Sequence, residues 1–150
     1  MKKLLPLLIC AMLLLCSCAK LSPTLNVSLL DGDTTKSTKQ LVKAVDDEKY
    51  PVKVRITYEE NSVKRVCEST DYTVIMSVYD ALSKVEINKQ TDDSMKDSKQ
   101  TINFILKDDS ECKFKFEGEK LFKVGNIHYT ISDYEDLFDF IHTLEFTVKE

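Results

Sequence analysis

Four short runs decide the fold: Thr101-Ile-Asn-Phe-Ile-Leu-Lys107, Glu111-Cys-Lys-Phe-Lys-Phe-Glu117, Lys120-Leu-Phe-Lys-Val124 and Ile127-His-Tyr-Thr-Ile131. The second alternates without a break, with Cys112, Phe114 and Phe116 on one side and Lys113 and Lys115 on the other. That is the period of a strand with one buried and one wet face. The links are too short for a crossover: Asp108-Asp109-Ser110, Gly118-Glu119 and Gly125-Asn126. The last places Gly first in a two-residue connection, the preference of a type II′ hairpin. Four consecutive strands therefore form an antiparallel meander.

Moving toward the N-terminus, Thr91 to Lys99 is the longest polar excursion of the domain and reads as a loop, preceded by a strand from Val85 to Lys89. Before it the period changes. Val74, Val78, Ala81, Leu82 and Val85 recur at three and four, and Thr70 or Asp71 is available as the cap of an amphipathic helix. Val52-Lys-Val-Arg-Ile-Thr-Tyr58 alternates again, with Val52, Val54, Ile56 and Tyr58 expected inward. It turns through Glu59 to Ser62 into a second strand, Val63 to Glu68, making a hairpin. Ser37 and Gln40 form a capping-box pattern for a short helix through Val45.

Toward the C-terminus, Ser132 and Glu135 repeat the capping-box spacing, and Tyr134, Leu137, Phe138, Ile141 and Leu144 make one apolar stripe. The predicted order is hairpin, helix, strand, four-strand meander, helix. This is an α+β domain with two main helices on one face of an antiparallel sheet, running from residue 38 to 150. The order is similar to the strand, helix, four strands, helix of the TATA-binding-protein-like folds. That resemblance is one of topology and implies nothing about DNA.

The first eighteen residues have a different character. Lys2 and Lys3 precede an apolar run of only twelve residues, Leu4 to Leu15, followed by Cys16-Ser17-Cys18. A membrane-spanning helix needs about 20, so the run reads as a secretory signal. It resembles the signal of bacterial lipoproteins, whose peptidase takes a small residue before the lipidated cysteine and an aliphatic one three before it. Ser17 and Leu15 fit Cys18; Cys10 and Cys16 follow bulky residues and would leave with the signal. The resemblance implies removal of residues 1–17, cleavage between Ser17 and Cys18, and a diacylglyceryl group on Cys18. Two acyl chains anchor stably, at about 0.8 kcal/mol for each buried methylene. The whole chain resembles the small lipoproteins of Gram-positive bacteria, in keeping with a lysine bias that leaves Arg55 and Arg65 as the arginines.

Residues 18–37, rich in Ser, Thr, Lys and Asp, read as a polar tether with a reach of roughly 25 Å. Within it, Leu25 to Leu30 alternates and has a second reading, as a short strand docked on the domain. Processing would remove two of the 21 basic residues and no acidic one, leaving 19 against 25, a net charge of −6. That balance argues against nucleic acid and anionic lipid as direct ligands, without speaking to local patches.

Chemistry is thinly represented. Asp31-Gly32-Asp33, Asp92-Asp93 with Asp97, and Asp108-Asp109 lack the closing bidentate Glu of an EF-hand loop and read as turns. No cofactor or metal is implied. For Cys67 and Cys112 both a disulfide and burial of Cys112 as a small hydrophobe stay open. His128 and His142 both read as exposed, and either with a nearby carboxylate would be the base of an envelope hydrolase. No Ser or Cys nucleophile stands in a strand-turn-helix context. The reading preferred is a membrane-tethered binding module, for another envelope protein or a small ligand; an inhibitor or immunity-type lipoprotein differs only in its partner. The contact surface expected is Lys113, Lys115 and Lys123 with Phe122 and Phe140, which lie off their elements' main apolar faces.

Overall fold

The computed structural model describes residues 26–31 and 35–148. Among them are nine strands and three helices. The strands are β1 (Val27–Ser28), β2 (Lys53–Glu60), β3 (Val63–Ser69), β4 (Glu86–Thr91), β5 (Ser98–Ile105), β6 (Glu111–Glu117), β7 (Leu121–Val124), β8 (Ile127–Ser132) and β9 (Thr147–Val148). The helices are α1 (Lys36–Asp46), α2 (Tyr72–Lys84) and α3 (Glu135–His142). Residues 1–17, Ser17 and Cys18 of the cleavage and lipidation motif, and most of the tether lie outside the described residues.

All nine strands join one antiparallel sheet in the order β1-β4-β8-β7-β6-β5-β2-β3-β9. The expected hairpin is β2–β3 and the expected meander is β5–β8, but the sheet is larger than their sum. β2 closes onto β5 in eight paired positions, from Lys53↔Ile105 to Glu60↔Ser98. β4 passes over to β8, and β1 and β9 add short edges. Edges this short offer little template for pairing with another chain.

Local chemistry sets the turns. Asn61 and Ser62 both take positive φ, 50° and 66°, as type I′ hairpins require, and Gly125 takes +60° at the first loop position. Asp71 caps α2 by accepting from the backbone N–H groups of Thr73 and Val74, at 2.7 and 3.4 Å. The other two caps differ from the sequence reading. Thr35, not Ser37, caps α1, accepting from Thr38 N at 3.0 Å. Ser37 Oγ instead accepts from Lys113 N at 3.1 Å, so α1 covers the stretch of β6 that β7 leaves unpaired. Ser132 is the last residue of β8, paired with Glu86, and Asp133 turns at φ 53° into α3. Tyr134 stands at the cap without a side-chain bond.

The stretch that alternates within Leu25 to Leu30 belongs to the fold. Val27 and Ser28 pair with Ile87 and Glu86, Leu29 N donates to Val85 O at 2.7 Å, and Leu29 and Leu30 are buried. The folded unit thus takes in residues 27–31 and 35–37, which the tether reading had included.

The face turned to the helices is apolar. Val54, Ile56, Ile102, Phe104, Cys112, Phe114, Phe116 and Phe122 meet Leu41, Ile75, Val78, Leu82, Leu137, Phe138 and Ile141 in one core. Phe116 is its aromatic hub, 5.4 Å from Phe122 and edge-on to Phe138 at 5.6 Å. Three positions depart from expectation. Val52, expected inward, is 41% exposed just before β2. Phe122, expected as a surface contact, is 1% exposed because it stands opposite Phe116 and Tyr129 on the helix side. Phe140 is half-buried against the core. Cys67 and Cys112 are free thiols, and burial pushes Cys112 up to about 11, with Asp108 adding to it.

Candidate functional site

The other face of the sheet carries the chain's unusual charge. Register places its side chains in three rows across the strands. The first is Glu68, Arg55, Asn103 and Lys113; the second is Val66, Thr57, Thr101, Lys115, Lys123 and His128; the third is Lys64, Glu59, Lys99, Glu117 and Leu121. All of these residues but Glu68, His128 and Leu121 line a groove of about 540 Å³, within the range of small-ligand sites. Counting Lys53 and Glu111 at its end, this face holds seven Lys and Arg against four Glu, in a chain whose net charge is −4. The cations expected from sequence, Lys113, Lys115 and Lys123, lie together here.

Pairing accounts for most of the cations. Arg55 Nε donates to Glu68 Oε1 at 2.5 Å, and Lys53 adds to the same carboxylate at 3.6 Å. Lys113 pairs with Glu111, and Lys99 lies 3.9 Å from Glu59. Lys115 has no carboxylate of its own among the described residues and stands directly opposite Lys123. Like charges facing each other across strands destabilise a sheet, so the second row is a place where positive charge outruns its neutralisation.

Glu117 is the centre of this face. Its side chain is 5% exposed, yet it is charged: Lys123 Nζ donates to Oε1 at 2.7 Å and Met95 N donates to Oε2 at 3.1 Å. His128 Nε2 stands 3.1 Å from Oε1, poorly aligned for a hydrogen bond. Burial alone would raise this carboxyl, but Lys123, His128 and the Met95 amide outweigh it and hold the group at about 2. The bond from Met95 also ties the Asp92 to Asp97 loop to the sheet, with the Met95 sulfur packed against Gly118. His128 therefore departs from the exposed position expected of it; its side chain is 14% exposed because that register sets it beside Glu117.

His142, 57% exposed, lies on α3, on the helix side, 3.3 Å from Glu119. The two histidines are not brought together, and no Ser or Cys lines the groove beside His128. Among the described residues no group of three His, Cys, Asp or Glu side chains is placed to hold a metal ion. What the arrangement offers is a bank of cationic and hydroxyl donors around Lys115, with Thr57 and Thr101 in the same row. Sequence reasoning missed Arg55, Asn103 and Glu117. Glu117 was within reach, being in phase with Lys113 and Lys115 on one strand; Asn103 became significant only through its row neighbours.

Comparison with protein-family models, curated proteins and solved structures finds no match.

Proposed function

We propose that this chain is an extracytoplasmic lipoprotein, held at the membrane by diacylglyceryl Cys18, whose domain is a binding module for an anionic ligand in the cationic groove. The observation that carries the reading is Lys115 facing Lys123 without a carboxylate of its own among the described residues, inside a concave site, on a chain of net negative charge. Glu117 neutralises Lys123, so the ammonium of Lys115 opposite it is the charge left for an anion from outside the chain. The likeness to TATA-binding-protein-like order is offered as one of element order alone and assigns no ligand.

The test uses the full chain in neutral detergent, titrated with anionic and neutral small molecules at two salt concentrations. Anion binding that weakens with salt and falls about tenfold in Lys115→Gln, with circular dichroism unchanged, is the expected result. A variant that binds every anion as the parent does would refute the groove as the working surface. In cells, Cys18→Ala is expected to move the protein out of the membrane fraction; retention there would remove the anchor.

A further inference from the structure

We infer that the ligand is a phosphorylated polyol or sugar, its phosphate on Lys115 and a hydroxyl donating to Asn103; this rests on the groove being the working surface. Three observations support it. The first is the type of cation. A planar carboxylate is best met by the guanidinium fork of Arg, and the groove's arginine, Arg55, is already engaged by Glu68. Directly opposite Lys115 on either side are instead the Thr101 hydroxyl and the Lys123 ammonium, which gives one of its three N–H groups to Glu117. Point donors arriving from several directions suit a tetrahedral oxyanion.

The second observation is Asn103. It is 4% exposed, lines the groove between Arg55 and Lys113, and its Oδ1 accepts no hydrogen bond. A buried acceptor without a partner is destabilising, and what it lacks is a donor. A phosphate or carboxylate oxygen supplies none; a ligand hydroxyl does. The third is spacing. Lys115 on β6 and Asn103 on β5 are diagonal neighbours across the strand pair, about 7–8 Å apart, a span that a ligand somewhat shorter than this closes with a hydrogen bond at its end. Three skeletal bonds span about 3.8 Å, so the five bonds from phosphorus to the far hydroxyl oxygen of a three-carbon polyol phosphate extend to about 6 Å. The groove lining includes none of the large exposed hydrophobic side chains, Val52, Val63, Tyr72, Met95, Ile127 and Val148. A surface that sat on lipid head groups would carry apolar residues to insert, so the phosphate belongs to a soluble ligand.

The decisive experiment is an amide chemical-shift titration of the full chain in neutral detergent, with glycerol phosphate, propyl phosphate and glycerate as probes. Glycerol phosphate is expected to bind about tenfold more tightly than either of the others, moving the resonances of Thr101, Asn103 and Lys115. Lys115→Gln is expected to weaken both phosphates about tenfold, and Asn103→Ala to abolish only the advantage of glycerol phosphate over propyl phosphate. The probe comparison needs no variant, so it decides even if Asn103→Ala folds poorly. Equal affinity for the two phosphates overturns the hydroxyl assignment. Glycerate binding as well as glycerol phosphate overturns the phosphate class while leaving an anion groove. No response from any anion overturns the groove itself. Phosphatidylglycerol vesicles moving the resonances that glycerol phosphate leaves still would overturn the soluble source.

Discussion

Replacing Glu117 by Gln keeps the shape of the side chain and removes its charge. The carboxyl is held at about 2 against an ordinary value of 4.5, so its folded-state charge contributes stability that is complete above 4.5 and lost as pH falls toward 2. At 1.36 kcal/mol for each pH decade, the contribution is about 3 kcal/mol at pH 7. Linkage leaves less than half of it at pH 3 and only a small remainder at pH 2. The substituted amide's oxygen would still accept from the Met95 N–H, and Lys123, with 31% of its side chain exposed, would recover some hydration. The loss expected for Glu117→Gln at pH 7 is therefore about 2–3 kcal/mol, no more than the full figure. Urea unfolding of both proteins at pH 7, 3 and 2 measures it. Other carboxylates titrate in both and cancel in the difference. A stability gap that does not narrow between pH 7 and pH 2, or that is under about 0.5 kcal/mol at pH 7, would refute the account of Glu117 as a buried charge neutralised by Lys123.

Four further outcomes follow from the packing. Leu29→Ala, at a fully buried position of the N-terminal segment, is expected to cost about 2–5 kcal/mol in denaturant unfolding; a cost under about 1 kcal/mol would detach that segment from the fold. Phe138→Ala, which removes the ring edge-on to Phe116, is expected to cost about 3–5 kcal/mol and to lower the near-ultraviolet dichroism. Thr35→Ala should cost about 1 kcal/mol as the true cap of α1, whereas Ser132→Ala should cost less, because Ser132 caps nothing and its hydroxyl makes one long bond, 3.3 Å to Asn88 Oδ1. Gly118→Ala is strained by its φ of +60°, and its Cβ would lie 2.6 Å from the Met95 sulfur. A loss of about 1–2 kcal/mol is expected, partly restored by adding Met95→Ala; no restoration would mean that the backbone angle alone carries the cost.

Two misread positions share one origin. Ser132 and Glu135 have capping-box spacing, yet β8 extends through Ser132 because Glu86 on β4 pairs with it. His128 is out of phase with the apolar residues of its own strand, which argued for exposure. The partners that bury it, Glu117 and Lys123, lie on β6 and β7, in two adjacent rows set by pairing across three strands. Phe122 is the converse case. Leu121 and Phe122 are adjacent and both apolar, so alternation could not say which faced the core; Phe116 on the neighbouring strand, opposite Phe122, decides it, while Leu121 is covered on the other face beside Glu117.

The amino-acid sequence by itself determined the α+β class, the hairpin, the meander and the amphipathic stripes, since these follow from periods of two and 3.6 residues read over a few neighbours. It also put Lys113, Lys115 and Lys123 on the wet side of the meander. Only the tertiary structure decided that β4 joins β8, that Val27 to Leu30 is a sheet edge with a buried flank, and that Glu117 is a charged group inside the groove. Those depend on registers between residues far apart in the chain, such as Val27 with Ile87, Lys53 with Ile105 and Glu86 with Ser132. Pairing over such distances is chosen by the burial and charge balance of the whole sheet, which no local window contains.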